Sequence, residues 1–419
     1  MRREGVAVTL MQQSLSNEEV ESLDKVSFLV GDKINILNIK DVPALQPFDE
    51  RIIGFLNSLS KQLMANAIAK TYPDVVTLAF WMRKSSMMKQ KQRFSNDTGD
   101  IQLGRGVVFH IAPSNVPVNY AYSLITGLVT GNVNIVRVPS KDFPQVSIIN
   151  KAILETLKDY AEVAKYIYLV RYDRNQDVND FFSALADVRV IWGGDNTISE
   201  IRKSPLSPRS SDITFADRYS LAIIDSDMYL EIDNKNRFAE DFYNDTYLTD
   251  QNACTSPRVV IWTGTKINQA KEQFWEKLHE LVKKKYTFQS IMGVNKLTSS
   301  YIYAALHEGV RIEAHEDNFV VRVHVPAVND TMMEFKDNSG YFYEYDCTDL
   351  YALKDLCNNT HCQTIGYLGK KEKILPLLTA GIKGVDRVVS IGKTMDFDFI
   401  WDGYNLYERM TRVISLGID

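Results

Sequence analysis

Two short stretches of this chain carry side chains whose types and setting could do chemistry. Cys254 lies in Asp250-Gln251-Asn252-Ala253-Cys254-Thr255-Ser256-Pro257, a polar run just ahead of apolar residues 259–262. A structural cysteine is ordinarily buried among apolar residues, whereas a nucleophile needs partial exposure and polar or electropositive surroundings that favour the thiolate. The second stretch, Ala112-Pro113-Ser114-Asn115-Val116-Pro117, holds an asparagine between two prolines directly after apolar residues 107–111. Asn115 either simply makes a turn or presents a fixed amide donor at the C-terminal end of a strand, where open parallel sheets bind ligands. Taken together, the two stretches favour a nucleophilic role for Cys254.

Other polar residues carry less. Cys347, Cys357, His361 and Cys362 offer three sulfurs and an imidazole. Structural zinc ligands come in pairs about two to four residues apart, and the adjacent His361 and Cys362 tend to point away from each other, so no metal is expected. His110, inside an apolar run, reads as a satisfied core residue. Lys283-Lys284-Lys285 falls on a helix-like stretch and reads as a solvated face. There is no P-loop and no G-x-S-x-G, and the nearest approach to a dinucleotide fingerprint, Gly104-Arg105-Gly106, precedes a strand instead of following one.

The elements that must position these residues follow from hydrophobic periodicity. The first hundred residues read as mixed, strand-like over 26–39 and helical over 48–71, with a polar break over 84–100. Beyond Gly104, strands over 107–111, 133–138, 167–171 and 188–192 alternate with helices over 118–128, 147–161 and 178–185. Such alternation predicts an α/β protein with a parallel sheet covered on both faces. After a turn-rich break over 204–212, a strand over 220–224, a helix over 237–247, a polar loop over 249–257, a strand over 259–262 and a helix over 266–285 predict a second α/β domain.

The composition agrees with this picture. The chain has 419 residues, 45% hydrophobic and 24% charged, which excludes disordered, collagen-like and disulfide-stapled classes and gives room for two or three domains. With 48 Lys+Arg against 53 Asp+Glu, the formal charge is −5, and nucleic acid is not an expected partner. Four irregularly spaced cysteines suit a reducing compartment, with cytoplasm as the expected location. Met1-Arg2-Arg3 is followed by a short apolar run, but Gln12-Gln13-Ser14 stands where a signal cleavage site should be. No apolar run reaches the roughly 18 residues of a membrane span.

In order along the chain, these pieces resemble the aldehyde dehydrogenase superfamily and, more closely, the LuxC-type acyl-CoA (fatty acyl) reductases within it. The 112–117 turn is similar to that superfamily's Pro-Trp-Asn-Phe-Pro turn, which implies that Asn115 and the Cys254 backbone N–H form an oxyanion hole. Gly131-Asn132-Val133-Asn134-Ile135-Val136-Arg137-Val138-Pro139-Ser140 is similar to the Gly-Asn-Thr-Val-Val-Val-Lys segment that contacts the adenosine ribose. Trp192-Gly193-Gly194-Asp195 falls where the Thr-Gly-Ser turn meets the cofactor phosphates. Residues 252–257 resemble the LuxC-type nucleophile loop, and the tail with Trp401-Asp402-Gly403 also reads as that family. The resemblance thus implies Cys254 and Asn115 as catalytic residues and Pro113, Ser114, Arg137, Ser140, Gly193 and Gly194 as cofactor contacts.

The departures from the family pattern are informative as well. Hydrolytic members carry Glu-Leu-Gly-Gly-Lys, whose glutamate activates water. The corresponding stretch here, Thr214 to Ser220, has no glutamate, and Asp217 is its only carboxylate. Without a water-activating base an acyl-enzyme thioester survives, as an acyl reductase requires. Where NAD-preferring members place a glutamate against the ribose hydroxyls, this chain has Ser140, near Arg137 and Lys141, a combination that favours NADPH.

These readings lead to an aldehyde dehydrogenase-like α/β fold. It comprises a Rossmann-like cofactor domain over 1–222, a catalytic domain over 223–390, and a segment over 391–419 returning to the cofactor domain or to an oligomer interface. The expected reaction is NADPH-dependent reduction of an acyl thioester, acyl-CoA or acyl-protein, to the aldehyde. The resemblance further implies an acyl-protein synthetase partner and a homo-oligomer. The rivals are an aldehyde dehydrogenase with Asp217 as base and a cysteine acyltransferase or acyl carrier without nicotinamide chemistry.

Overall fold

The computed structural model describes residues 17–94, 99–114 and 116–418, the side chains of 17–20 and 330 excepted. The N-terminal stretch 1–14 and Asn115 therefore lie outside the described residues. The chain forms two compact units: residues up to Ala216 with 397–400 and from Tyr404 onward, and residues 217–396 with 401–403.

The first unit contains β1 (Ser27–Val30), β2 (Ile101–Gly104), β3 (Val107–Ile111), β4 (Val133–Arg137), β5 (Ile167–Arg171), β6 (Val188–Trp192) and β7 (Ser211–Phe215). All but β2 join one sheet in the order β1-β5-β4-β3-β6-β7, with β1 antiparallel to β5 and the other pairs parallel. Every residue of β3 and β6 is buried, as expected of central parallel strands covered on both faces. Helices Asn119–Val129, Pro144–Leu157 and Gln176–Leu185 follow β3, β4 and β5. From β3 the chain adds β4 and β5 on one side and then crosses to place β6 and β7 on the other, so the strand order reverses between β3 and β6.

Two expectations for the N-terminal part need correction. Only Ser27–Val30 of the 26–39 stretch is a strand; Gly31 at φ +81° ends it, and Asp32 Oδ1 accepts from the backbone N–H groups of Ile34 and Asn35, turning the chain into the 3-10 helix Asn35–Asp41. The polar stretch after Lys84 is largely a helix, Lys84–Phe94, anchored through buried Met87 and Phe94, two turns apart on one face. Two apolar anchors among polar residues give too weak a period to read from sequence.

The second unit holds β8 (Tyr219–Asp225), β9 (Pro257–Thr263), β10 (Arg311–Ala314), β11 (Val321–His324), β12 (Tyr341–Asp346), β13 (Cys362–Leu368) and β14 (Arg387–Ser390). Their order is β10-β11-β12-β9-β8-β13-β14, antiparallel only between β10 and β11. Side chains alternate between two cores: Leu221, Ile223, Val259 and Ile261 enter one, Ala222, Ile224, Val260 and Trp262 the other. The second core is closed by Phe238 and Phe242 of helix Lys235–Thr246 and Phe274, Trp275 and Leu278 of helix Ile267–Lys285. The break expected after residue 222 falls after Ala216 instead. A break at 222 would cut β8, whose ladders to β9 and β13 make it a central strand of the second sheet.

Near the C-terminus, β15 (Ile400–Trp401) and β16 (Tyr404–Asn405) form a hairpin, and β17 (Thr411–Ile414) pairs antiparallel with β2. Asp402 at φ +48° and Gly403 at φ +72° form the hairpin loop. Two central residues with positive φ make a type I′ turn, which Asp-Gly adopts readily.

Candidate active site

Cys254 lies between the 3-10 turn Tyr247–Thr249 and β9, on the side where β8, β9 and β13 begin. It is half-buried, while Cys347, Cys357 and Cys362 are buried in the apolar core of the same unit. The loop turns through two successive left-handed residues, Asp250 at φ +50° and Gln251 at φ +59°. The Gln251 amide then saturates itself: Nε2 donates to the carbonyls of Pro257 and Tyr341 at 2.9 and 3.0 Å, and Oε1 accepts from the N–H groups of Gly340 and Tyr341 at 3.0 and 3.2 Å. Arg258 donates to the Gln251 carbonyl at 2.8 Å and the Asp337 carbonyl at 2.7 Å. Ala253, Thr255 and Ser256 are buried, so this polar stretch is packed and internally satisfied. Gln251, buried next to exposed Asn252, carries the structural load, which its position in the sequence does not reveal.

Around the thiol the structure assembles residues from distant parts of the chain. Ser220 Oγ, in β8, donates to the Cys254 carbonyl at 2.7 Å and accepts from Thr364 N of β13 at 3.3 Å. Next to Thr364, Gln363 Nε2 donates to Asp402 Oδ1. Arg218 Nη1 lies 3.8 Å from Asp402 Oδ1 and donates to Asp386, while Nη2 donates to the Cys362 carbonyl at 2.8 Å.

The electrostatics differ from the expected activated thiolate. Burial, with the Asp402 carboxylate next in weight, pushes the Cys254 thiol up to about 12, against the smaller pull of Gln363 and Arg218. Burial likewise pushes Asp402 up to about 6, with Gln363 and Arg218 again opposing. The resting site therefore holds a thiol. Asp217, the carboxylate singled out in the sequence, has a side chain 68% exposed and pairs with Lys336 at 3.3 Å. The carboxylate that bears on Cys254 is Asp402, more than a hundred residues away in sequence. Its signal was present in Trp401-Asp402-Gly403, without any indication of its neighbours.

In the first unit, the other singled-out residues follow the C-terminal ends of three adjacent strands. Pro113 and Ser114 follow β3, Ser140 follows β4 with Arg137 as that strand's last residue, and Gly193 and Gly194 follow β6. Ser114, Ser140 and Gly194 are exposed. Arg137 donates to the Tyr172 carbonyl at 3.2 Å and stacks over the Tyr172 ring at 4.5 Å. Among the described residues, neither Arg137 nor Lys141 makes an ion pair. A Cβ on Gly194 would meet nothing within 4 Å, whereas one on Gly193 would meet Thr197 Cβ at 3.0 Å. Cations and a hydroxyl at the end of β4, with open glycine backbone after β6, form a donor set suited to a phosphate-bearing dinucleotide at the β3/β6 reversal. His110 belongs to the frame: Nδ1 meets Ser123 Oγ at 2.7 Å and Nε2 meets Asn134 Oδ1 at 3.0 Å, and burial lowers its pKa to about 4, keeping it neutral. Among the described residues no cluster of His, Cys, Asp and Glu could hold a metal, and no helix is long and apolar enough to cross a membrane.

Comparison with known proteins places this arrangement. Residues 17–292 match the profile of the acyl-CoA reductase (LuxC) family. The chain belongs to that family. Among curated proteins, this LuxC family member is 24% identical over 323 residues to the long-chain acyl-protein thioester reductase of Vibrio harveyi, and 22% identical over 321 residues to that of Photorhabdus luminescens. Each alignment covers 74% of this chain and 64% of the relative, so the chain spans less than two thirds of the length of the curated relatives it matches. Among solved structures, it is similar to an NADP-dependent glyceraldehyde-3-phosphate dehydrogenase of Bacillus halodurans in complex with NADP, with TM-score 0.59, 16% identity and coverage of 88% and 86% of the two chains. A putative aldehyde dehydrogenase of Burkholderia cenocepacia gives TM-score 0.60, 12% identity and coverage of 88% and 87%. The LuxC family member therefore has the aldehyde dehydrogenase fold.

Proposed function

We propose that this chain reduces an acyl thioester, either acyl-CoA or an acyl group carried on a partner protein, to the aldehyde through an acyl-enzyme on Cys254, using NADPH. The observation that carries this reading is Cys254 itself: in a LuxC family member it is the cysteine left outside the buried core, on a loop fixed by Gln251, Ser220 and Arg258.

Cys254 Sγ would attack the thioester carbonyl and expel the donor thiol. The Cys254 backbone N–H, within hydrogen-bond reach of its own sulfur, would donate to the oxyanion together with the Asn115 amide. Losing one such donor typically costs about 10²- to 10³-fold in rate. Pro113, Ser114, Gly193 and Gly194 would hold the dinucleotide, and Arg137, Ser140 and Lys141 its 2′-phosphate. Bound there, NADPH supplies a hydride to the enzyme thioester. Asp217, exposed and paired with Lys336, is poorly placed to activate water, which favours reduction over hydrolysis to the acid. Four cysteines, none joined in a disulfide, suit the cytoplasm. An acyl-protein synthetase and further copies of the chain are the proposed partners.

The test is intact-protein mass spectrometry after incubation with a panel of acyl-CoAs, followed by NADPH, on native protein and Cys254→Ser. An adduct on the native protein alone, discharged to aldehyde as NADPH is consumed, is expected. An adduct that NADPH does not discharge would turn the reading to an acyl carrier, and sustained acid production from aldehyde and NAD(P)+ without CoA would turn it to an aldehyde dehydrogenase.

A further inference from the structure

Helix Ser290–Leu306 of the second unit turns an uncharged face to solvent. Ile291, Val294, Tyr301, Ile302 and Leu306 are each between 47% and 64% exposed, with exposed Asn295, Thr298 and Ala305 among them. At 3.6 residues per turn these positions fall within an arc of about 140°. The helix has one charged side chain, Lys296, and it points inward: fully buried, its Nζ donates to the carbonyls of Asn318, Phe319 and Ser339 at 2.6, 3.2 and 2.7 Å. The preceding helix, Ile267–Lys285, instead exposes Glu272, Glu276 and Glu280, the ordinary arrangement for a helix facing water. A charge-free apolar stripe along a whole helix marks a surface that something covers.

The stripe is symmetric about its own middle. Thr298 is the central residue of the helix and lies near the centre of the arc. A second helix of the same sequence, laid antiparallel across a two-fold axis at Thr298, sets each residue against the one equally far on the other side of Thr298. Val294 then meets the partner's Ile302, Ile291 meets the partner's Ala305, and Asn295 meets the partner's Tyr301, an amide beside a phenol hydroxyl. The short Thr298 side chains meet at the crossing, where packed helix axes come to about 8–10 Å. The same arrangement brings exposed Glu308, just past the C-terminal end, to the positive N-terminal end of the partner's helix.

We propose that the outer face of helix Ser290–Leu306 is a pairing surface for a second copy of this chain, the two helices crossing antiparallel on a two-fold axis at Thr298. The proposal rests on the part of the reading above that has this chain assemble with further copies of itself, and not on the chemistry at Cys254. Five large side chains about half exposed or more leave roughly 500 Å² of apolar surface on each copy, so pairing removes about 1,000 Å² from water, the least that a specific interface needs. Because the contact uses the same patch on both copies, it closes as a dimer, and an uncharged face meets its copy without opposing like charges. A different protein or a lipid surface would have no cause to match a centre of symmetry within the helix.

The test is sedimentation velocity of native protein, Thr298→Glu and Thr298→Lys over about 1 to 100 μM, the range suited to an interface of this size. Native protein should reach about twice the mass of either variant at the upper end. T298E and T298K set like charges against each other on the axis and should stay at the smaller mass. An equal mixture of the two should recover the native mass, since glutamate then meets lysine. Native protein that sediments as a monomer throughout overturns the proposal, even if a variant fails to fold. So does either variant at the native mass, or a mixture that stays at the smaller one. If an acyl-CoA never labels native Cys254 but the mixture recovers the pair, the pairing stands and the acyl-reductase reading falls. If Cys254 is acylated and discharged by NADPH in a protein that is monomeric throughout, the pairing falls and the acyl-reductase reading stands.

Discussion

Ser220 Oγ donates to the backbone carbonyl of Cys254 at 2.7 Å while accepting from Thr364 N at 3.3 Å, joining the Cys254 loop to β8 and β13 through one buried hydroxyl. Ser220→Ala leaves that carbonyl and that N–H without a partner. A loss of about 1–3 kcal/mol is expected in urea denaturation. Iodoacetamide labelling of Cys254 in folded S220A should become faster, since the loop is less tightly held. Unchanged stability would mean that water replaces the hydroxyl.

Gln251 makes four hydrogen bonds from a fully buried amide in a left-handed conformation. Gln251→Ala should cost more than Ser220→Ala, about 3 kcal/mol or more, because two donors and two acceptors lose their partner at once. The same denaturation series checks it. Asn252→Ala, on an exposed residue two positions before Cys254, should change stability by no more than about 0.5 kcal/mol.

Arg137→Ala tests the choice of coenzyme. If the guanidinium holds a phosphate, its removal should weaken NADPH binding by about 10- to 100-fold, the range of one or two charge-assisted hydrogen bonds, and leave NADH binding nearly unchanged. Equal weakening of both would instead assign Arg137 to positioning Tyr172 and the end of β4. Isothermal titration with each nucleotide distinguishes the two.

Asp245 couples stability to pH. Its carboxylate accepts from the N–H groups of Gly392 and of Thr394, the latter at 3.0 Å, yet burial dominates and pushes it up to about 7. A carboxyl raised in the folded state contributes stability that is fully present below its ordinary value of 3.8 and is lost as pH rises through about 7. Thermal unfolding of native protein should therefore show Tm falling between about pH 4 and pH 7. Asp245→Asn should flatten that fall. An identical slope in the variant would place the charge elsewhere.

How much of this was legible in the sequence depended on whether a signal was local. Strands β3, β4, β5 and β6 announce themselves because burial on both faces forces mostly apolar runs such as Val107–Ile111, broken only by the internally bonded His110. Cys254 stood out by residue type and setting. The resemblance placed Asn115 and the expected cofactor contacts, Gly193 and Gly194 among them, in order along the chain. Helix Lys84–Phe94 was missed because only Met87 and Phe94 are buried. The surroundings of the thiol were missed because Ser220, Gln363 and Asp402 meet it only through sheet neighbours and a hairpin, and no local pattern records which strands become neighbours. For the same reason Asp217, the carboxylate nearest in sequence to the absent glutamate, stands exposed against Lys336, while the carboxylate whose charge raises the Cys254 pKa is Asp402.

The ladder between β2 and β17 has a consequence for synthesis. Gly104 pairs with Thr411 and Ile101 with Ile414, so β2 leaves the ribosome some three hundred residues before its partner is made. At about 5–20 residues per second, that is a wait of roughly fifteen seconds to a minute. Throughout it β2 is an unpaired edge, with Ile101 exposed even in the finished protein, and its four-residue length is a protection, since a short edge offers little to a neighbouring nascent chain. The first unit therefore completes its fold only after Thr411–Ile414 has emerged, and a chain stalled before that point would present β2 uncovered.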